Sequence, residues 1–326
     1  MKKIFILIVF LILGVLAGYL FLHQQWSPYG KGGIVYIPKG DSLGQIAQRL
    51  SEAEIIRNPW SFKVLVKLKG VSRNLQAGEY EFKPNISSEA IIAKLIRGER
   101  LVHRFTIPEG YNFQQIAKVL AGTGIASEAQ ILQAFRDPKY LGSLGFPSPS
   151  LEGYLFPSTY EYNRGTTLDE VLSMMIGSFK KQFTPEMKAR MESMGWTLPQ
   201  VTTLASIIEK ETSQPEERAL IASVFHNRLR QGMLLQSDPT IIYGLEDYRG
   251  DIRRKDIRNP HRYNTYVHPG LPPGPIASPG RESLEAVLFP ADSEYLYFVS
   301  KGNGFHHFSK TLAEHNAAVQ KYQLNP

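Results

Sequence analysis

Thr197-Leu198-Pro199-Gln200-Val201-Thr202-Thr203-Leu204-Ala205-Ser206-Ile207-Ile208-Glu209-Lys210-Glu211-Thr212 reads as one helix with a marked start. Thr197 is placed to cap it, Pro199 comes early, and Gln200 follows Thr197 by three residues, the spacing of a capping box. At about 100° per residue, with Leu204 as zero, Ile207 falls at about 300°, Ile208 at about 40° and Glu211 at about 340°. Glu211 thus continues the apolar stripe, while Glu209, at about 140°, faces away. A carboxyl on an apolar face loses hydration, which favours its neutral form and raises its pKa. A general acid working near neutral pH needs such a shift. Glu211 is therefore the candidate acid, and Glu209 is expected to be a solvated charge paired with Lys210 or Arg218. The plainer reading is that Glu211 only marks where the helix leaves the core.

Working outward, Ser213 to Glu216 reads as a second capping box. It opens a helix with Leu220, Ile221, Val224, Phe225 and Leu229 on one side. A tight bend between the two helices would set Glu211 at the floor of a groove. Further along lie Leu235-Gln236-Ser237-Asp238-Pro239-Thr240, Tyr243, Tyr263-Asn264-Thr265-Tyr266, Gly270 to Ile276 and Ser278-Pro279-Gly280. Hydroxyls, amides and rigid turns suit an extended sugar cleft, and they equally make up any long surface loop. Upstream, Ser127 to Arg190 is mostly helical, broken at Phe146-Pro147-Ser148-Pro149-Ser150 and at Leu151-Glu152-Gly153-Tyr154-Leu155-Phe156-Pro157. The aromatics there serve either as a carbohydrate-binding wall or as core between helices.

At the N-terminus, Met1, Lys2 and Lys3 precede 19 uncharged residues from Ile4 to Leu22. At about 1.5 Å per residue they span roughly 28 Å, close to a bilayer core. The lysines would stay cytoplasmic and the remainder would lie across the membrane. A cleaved signal peptide is the rival, because Val15-Leu16-Ala17 resembles a cleavage site. The apolar run continues past it through Tyr19 to Leu22, and Trp26 could sit at the interface, which favours an uncleaved anchor. Ser27 to Gly33 then reads as a linker.

Next comes an internal repeat. Ile37-Pro38-Lys39-Gly40 with Gln45-Ile46-Ala47 and Leu50 recurs 70 residues later as Ile107-Pro108-Glu109-Gly110 with Gln115-Ile116-Ala117 and Leu120. Each copy reads as strand, glycine turn and short helix. The first, Val35 to Leu50, resembles the start of a LysM domain, a small glycan-binding βααβ module. Gly78 to Phe82 alternates as a strand, and Ser87 to Ile96 reads as a helix.

With 326 residues, 43% of them hydrophobic and 21% charged, the chain is globular and of a length for about two domains. The net charge of +7 reads as a scattered excess without a polybasic block. It argues against nucleic acid and favours an anionic membrane surface or polymer as neighbour. The absence of cysteine excludes disulfides, thiolate metal sites and a cysteine nucleophile. His306 and His307 are adjacent on a hairpin strand and so point to opposite faces, a poor arrangement for one metal. No metalloprotease helix, acidic calcium loop, phosphate-cradling glycine loop or nucleophile elbow is present. Neither a metal nor a cofactor is expected. Thr311 to Tyr322 reads as a closing helix with Leu312, Val319 and Tyr322 buried.

The chain resembles the endolytic murein transglycosylases of the YceG-like (MltG-type) family. The resemblance rests on Leu204 to Thr212, Ala222-Ser223-Val224-Phe225 with Asn227-Arg228-Leu229, and Gln236 with Asp238-Pro239-Thr240. It continues through Tyr263 to Tyr266, Gly270 to Gly274, Ile276-Ala277 with Pro279-Gly280, and Tyr295 to Val299. It implies a membrane-anchored, periplasmic or extracytoplasmic enzyme that cleaves the β-1,4 bond between N-acetylmuramic acid and N-acetylglucosamine inside peptidoglycan strands. The product would end in 1,6-anhydro-muramic acid. The family's catalytic glutamate maps to Glu211, and Gln236, Asp238, Thr240, Tyr263 and Asn264 are expected to line the cleft. Asp238 either acts as a second acid or only shapes a turn before Pro239. Peptidoglycan synthases are expected partners.

The expected fold is α+β. Residues 1–26 form the anchor, 27–33 a linker, 34–125 a LysM-like α+β region, and 126–326 a mixed helical and β catalytic domain. Two rival functions stand beside the transglycosylase. One is a muramidase using Glu211 with Asp238 as second carboxylate, which would release reducing ends. The other is a non-catalytic wall-binding scaffold, which would tolerate Glu211→Gln.

Overall fold

The computed structural model describes residues 2–146, 148–245 and 247–324, so Met1, Pro147, Glu246, Asn325 and Pro326 lie outside it. The chain divides into two compact units, residues 1–104 with 161–166 and residues 105–160 with 167–326. It is mixed α and β, with three two-stranded sheets among the described residues.

The first unit begins with α1 (Lys2–Trp26), whose apolar stretch from Ile4 is long enough to cross a membrane and carries its large side chains exposed. Then follow β1 (Gly33–Ile37), α2 (Leu43–Glu52), α3 (Pro59–Leu68), β2 (Gly78–Phe82), α4 (Ser88–Arg97) and β3 (His103–Thr106). β1 and β2 pair antiparallel, Val35 opposite Tyr80. The order is therefore βααβ, with α2 capped by a Ser42–Gln45 box and α3 by Asn58. Ile37, Ile46, Leu50, Phe62, Tyr80, Phe82, Ile91 and Leu95 form one core.

The segment read as a linker is tied into this unit. Tyr29 N–H donates to Ile86 O at 3.1 Å, and Asn85 N–H donates to Gly30 O at 3.0 Å. Gly30 has φ +93°, and a Cβ there would lie 2.5 Å from Glu54 O, so only glycine fits. Trp26 is likewise taken up by protein: its indole N–H donates to Ser61 O at 2.9 Å.

The second unit contains the other copy of the repeat. Its elements are α5 (Phe113–Gly122), α6 (Glu128–Ala134), α7 (Pro138–Leu144), β4 (Thr159–Tyr162), α8 (Leu168–Gln182), α9 (Pro185–Ser193), α10 (Leu198–Glu211) and α11 (Pro215–Arg230). After these come α12 (Asp238–Gly244), α13 (Arg254–Ile257), α14 (Arg281–Leu288), β5 (Tyr297–Ser300), β6 (His306–Ser309) and α15 (Leu312–Val319). β3 pairs with β4, two strands that each straddle the division between the units, at 104/105 and 160/161, and β5 pairs with β6.

The units part at 104/105 rather than at 125/126, and 161–166 returns to the first. The reason lies in the second copy's turn. Gly110 N–H donates to Ser278 O and Ser278 N–H to Tyr111 O, at 2.9 and 2.8 Å, which fastens this copy to the far end of the chain.

Three local expectations shift. α11 starts at Pro215 after Gln214, with no side-chain cap, so Ser213 to Glu216 is not a capping box. Tyr154 is core, packed edge-on against Phe179 with ring centres 5.4 Å apart, which gives it the structural role of the two left open. In the closing helical segment Ala318 is the buried residue, Val319 and Tyr322 are half-buried, and Leu312 is 55% exposed.

Candidate active site

α10 is built as expected at its start, with Thr197 and Gln200 exchanging cap hydrogen bonds and Pro199 in the first turn. Its middle is not amphipathic. Val201 to Ile208 are all buried, including Thr202, Thr203 and Ser206. The polar ones are satisfied locally: Thr202 Oγ1 donates to Leu198 O at 2.9 Å and Ser206 Oγ to Thr203 O at 2.7 Å. Ser206 Oγ also accepts Ile276 N–H at 3.0 Å, which fixes the Gly274-Pro275-Ile276 turn on the helix. Gly153, at φ +80°, packs so closely on that turn that a Cβ would lie 2.4 Å from Pro275 Cβ.

Because α10 is enclosed, Glu209 is buried too, not solvated as its phase predicts; its side chain is only 7% exposed. Its charge is answered by Gly280 N–H at 2.9 Å and Ser283 Oγ at 2.7 Å, with Arg218 at 3.9 Å. Glu209 thus accepts the N-cap N–H of α14, which the first turn leaves unpaired, together with the Ser283 hydroxyl.

Glu211, the last residue of α10, is treated differently. It is half-buried, and the one hydrogen bond to its carboxylate among the described residues comes from Ser237 Oγ to Oε1. Burial pushes its pKa from 4.5 to about 7, against the pull of the Ser237 hydrogen bond. The Asp238 charge adds to the rise, and the Arg228 charge opposes it. The position adds a further reason in kind, since a helix C-terminus carries partial negative charge that disfavours an anion. Partner supply, not helical phase, separates the two glutamates. One has its carboxyl met by protein donors, and the other is held near half-protonation at neutral pH.

The loop that brings Ser237 to Glu211 is itself braced. Gln236 has φ +52°, a conformation that costs a non-glycine residue roughly 1–2 kcal/mol. Arg228, buried on α11, holds the preceding backbone: its guanidinium donates to Leu235 O at 2.7 Å and to Leu296 O at 2.7 Å, and lies over the Tyr297 ring at 5.2 Å. Asn227 beside it donates to Ser293 O and Tyr295 O, each at 2.9 Å. Ser237 N–H donates to Thr265 Oγ1 at 3.0 Å, and Gln236 N–H to Thr265 O at 3.2 Å.

Of the residues expected to line a cleft, Gln236 and Asp238 are exposed beside Ser237, and Asp238 Oδ1 accepts the Tyr266 hydroxyl at 2.7 Å. Tyr263 packs against Tyr243 with ring centres 4.8 Å apart. Thr240 and Asn264 turn inward, a correction to the expectation for both. Thr240 is fully buried, donates to Ser237 O and shares a bond with Thr265 Oγ1. Asn264 spends its amide on Ile257 O and Asn259 O, at 3.0 and 2.8 Å. Their polar groups stabilise the loop from within because the buried backbone there needs partners. Ser237, Arg228 and Tyr266 are the contributors not singled out from sequence. All three stand inside or beside quoted motifs, but nothing local marks a serine, an arginine or a tyrosine as facing a particular carboxyl.

The YceG-like family profile matches residues 35–321. The chain is 37% identical over 307 residues to a Bacillus subtilis protein named endolytic murein transglycosylase, covering 88% of this chain and 84% of that one. It is 29% identical over 320 residues to a Streptococcus pneumoniae protein of the same name, of which it spans 58%. A crystal structure of a yceG-like protein from Listeria monocytogenes superposes with a TM-score of 0.62 at 33% identity, over 88% of this chain and 98% of that one. A match along most of the chain, with relatives that share its sequence at this level, makes it a member of the YceG-like family.

Proposed function

We propose that this protein is an endolytic lytic transglycosylase of peptidoglycan, with Glu211 as its single acid and then base. The observation that carries this is a half-buried carboxyl at the end of α10 whose pKa lies at about 7. Such a group is present in both protonation states at neutral pH, as a two-stroke role requires. The names of the Bacillus and Streptococcus relatives supply the substrate.

Glu211 donates its proton to the glycosidic oxygen as the C1–O bond breaks, releasing the N-acetylglucosamine 4-hydroxyl. Positive charge at C1 is relieved by the muramic acid N-acetyl oxygen and by the negative potential around Asp238. The muramic acid C6 hydroxyl then closes on C1, and its proton passes to the Glu211 carboxylate. The result is a 1,6-anhydro end, with no water consumed and the acid restored. Ser237 holds the carboxylate between the strokes. Gln236 and Tyr263 would contact sugar on the open side of the loop.

α1 would anchor the chain in the cytoplasmic membrane with its N-terminal lysines inside and both units outside. The βααβ order of the first unit supports a LysM-like reading, with glycan as its ligand. Cleavage within nascent strands would end or trim them, beside the synthases that make them.

The test is mass spectrometry of strands digested by wild type, Glu211→Gln and Asp238→Asn. Anhydro ends from wild type, none from Glu211→Gln and residual anhydro product from Asp238→Asn are expected. Reducing ends that vanish in Asp238→Asn would establish a muramidase with two carboxylates instead. Unchanged strands from a folded wild type would leave the scaffold reading.

A further inference from the structure

The second unit contains a cavity of about 810 Å³ at the far end of α12, lined among others by Asn112, Arg136, Tyr243, Arg253, Lys255 and Tyr263. Tyr243 follows Asp238 by five residues along that helix, a rise of roughly 7–8 Å. The cavity thus opens about one side-chain length beyond the loop that faces Glu211. Residues 249–262, which include part of its wall, hold six Lys or Arg against two Asp, a net +4 within a chain of +7. The positive charge is concentrated here, which corrects its reading as scattered.

Within the cavity the charges are not all cancelled. Arg253 is committed to Asp256, at 2.9 Å. Asp247 also acts on Arg253 and Lys255 on Asp256, whereas Arg136 has no ion pair among the described residues and its guanidinium lies over the Phe113 ring at 5.3 Å. The wall rests on a buried carboxyl. Glu152 accepts Phe113 N–H at 3.1 Å and the Tyr243 hydroxyl at 3.2 Å, so it sets two lining residues from behind. Burial pushes its pKa to about 8, which leaves it mainly neutral at pH 7 and unable to offset the cations in front.

We infer that this cavity receives the carboxylate-bearing peptide arm of a muramic acid residue, with Arg136 and Lys255 facing its free carboxylates. The inference rests on the transglycosylase reading for its substrate class. A glycan held at Glu211 carries its neighbouring substituents past Tyr243, and the acidic one among them is the peptide. Arg136 and Lys255 are exposed at the cavity's rim, where guanidinium and ammonium groups recognise carboxylates by charge-assisted hydrogen bonds.

Calorimetry with a soluble muramoyl peptide tests binding without relying on turnover. The full chain should bind the free acid about tenfold more tightly than the same peptide with its carboxylates amidated, the loss of one such bond. Arg136→Ala with Lys255→Ala should erase that difference, and Lys255→Glu alone should reverse it. Equal affinity of wild type for the two ligands overturns the inference. In parallel, the ratio of kcat/KM on peptide-bearing strands to that on peptide-free strands should fall about tenfold in the double variant. Wild-type cleavage of both strands at an equal rate, with the variant unchanged in ratio, refutes the inference and leaves the transglycosylase reading standing. Failure of wild type to cleave either strand, with preference for the free acid intact, strikes the reading instead.

Discussion

Glu211→Gln should cut turnover by about 10²–10⁴-fold and yet make the fold more stable at alkaline pH. The carboxyl is held at about 7 against 4.5 for an ordinary glutamate. A shift of about 2.5 units corresponds to about 3 kcal/mol. Its sign follows from linkage: the folded state keeps the proton more tightly than the unfolded one, so stability is full below about pH 4.5. It declines as pH rises, and levels off above about 7, once both states are ionised. Glutamine has nearly the same shape, carries no charge and can still accept from Ser237. Relative to wild type, the variant should therefore gain about 2–3 kcal/mol between pH 5 and pH 8.5. Glu152 has a raised pKa of the same sign, but it is present in both proteins and cancels in the difference.

Trp196, two residues before α10, gives a fluorescence probe in the second unit, since the other tryptophans, Trp26 and Trp60, belong to the first. Urea unfolding would be followed in a Trp26→Phe/Trp60→Phe background at several pH values. Parallel stability curves for wild type and Glu211→Gln would refute the reasoning, because they would mean that the carboxyl is as well hydrated in the fold as outside it. A loss of activity by about 10²–10⁴-fold alongside the gain is the size that removal of a general acid gives.

In wild type, kcat/KM should fall about tenfold per pH unit above about 7, as the acid form of Glu211 is lost, and Ser237→Ala should move that limb upward by roughly one unit, because the hydroxyl favours the ionised form; a pH–rate profile reads both. Arg228→Ala should cost about 3 kcal/mol or more in denaturant unfolding and lower kcat, since it leaves the carbonyls of Leu235 and Leu296 without the guanidinium that holds the loop. Gly153→Ala should lower the melting temperature by several degrees, combining a φ of +80° with a contact of 2.4 Å to Pro275.

The helix that ends in Glu211 was legible because its start is written locally: Thr197, Pro199 and Gln200 lie within four residues of one another. The repeat and the strand at Gly78–Phe82 were legible for the same reason, through glycine turns, alternation and short apolar stripes, whereas the helix Pro59–Leu68 was not read from the residues. Choosing between Glu209 and Glu211 was not a local problem. Helical phase selected Glu211, but by an incomplete argument, because α10 is enclosed on every side and buries both carboxyls' surroundings. What distinguishes them is the supply of donors. Glu209 meets Gly280 and Ser283, more than 70 residues away in sequence, and Glu211, among the described residues, accepts a hydrogen bond from Ser237 alone. Those partners arrive by tertiary packing, and no window of sequence contains both sides of the contact. The same limit explains Thr240 and Asn264. An amide or hydroxyl in a long loop is chemically equal to facing sugar or facing the loop's own carbonyls, and burial decides which. In this loop, burial assigns them to the backbone, because a strained turn at Gln236 must be held for Ser237 to reach the acid. A polar residue beside a catalytic carboxyl is thus as readily part of the mould as of the surface the mould presents.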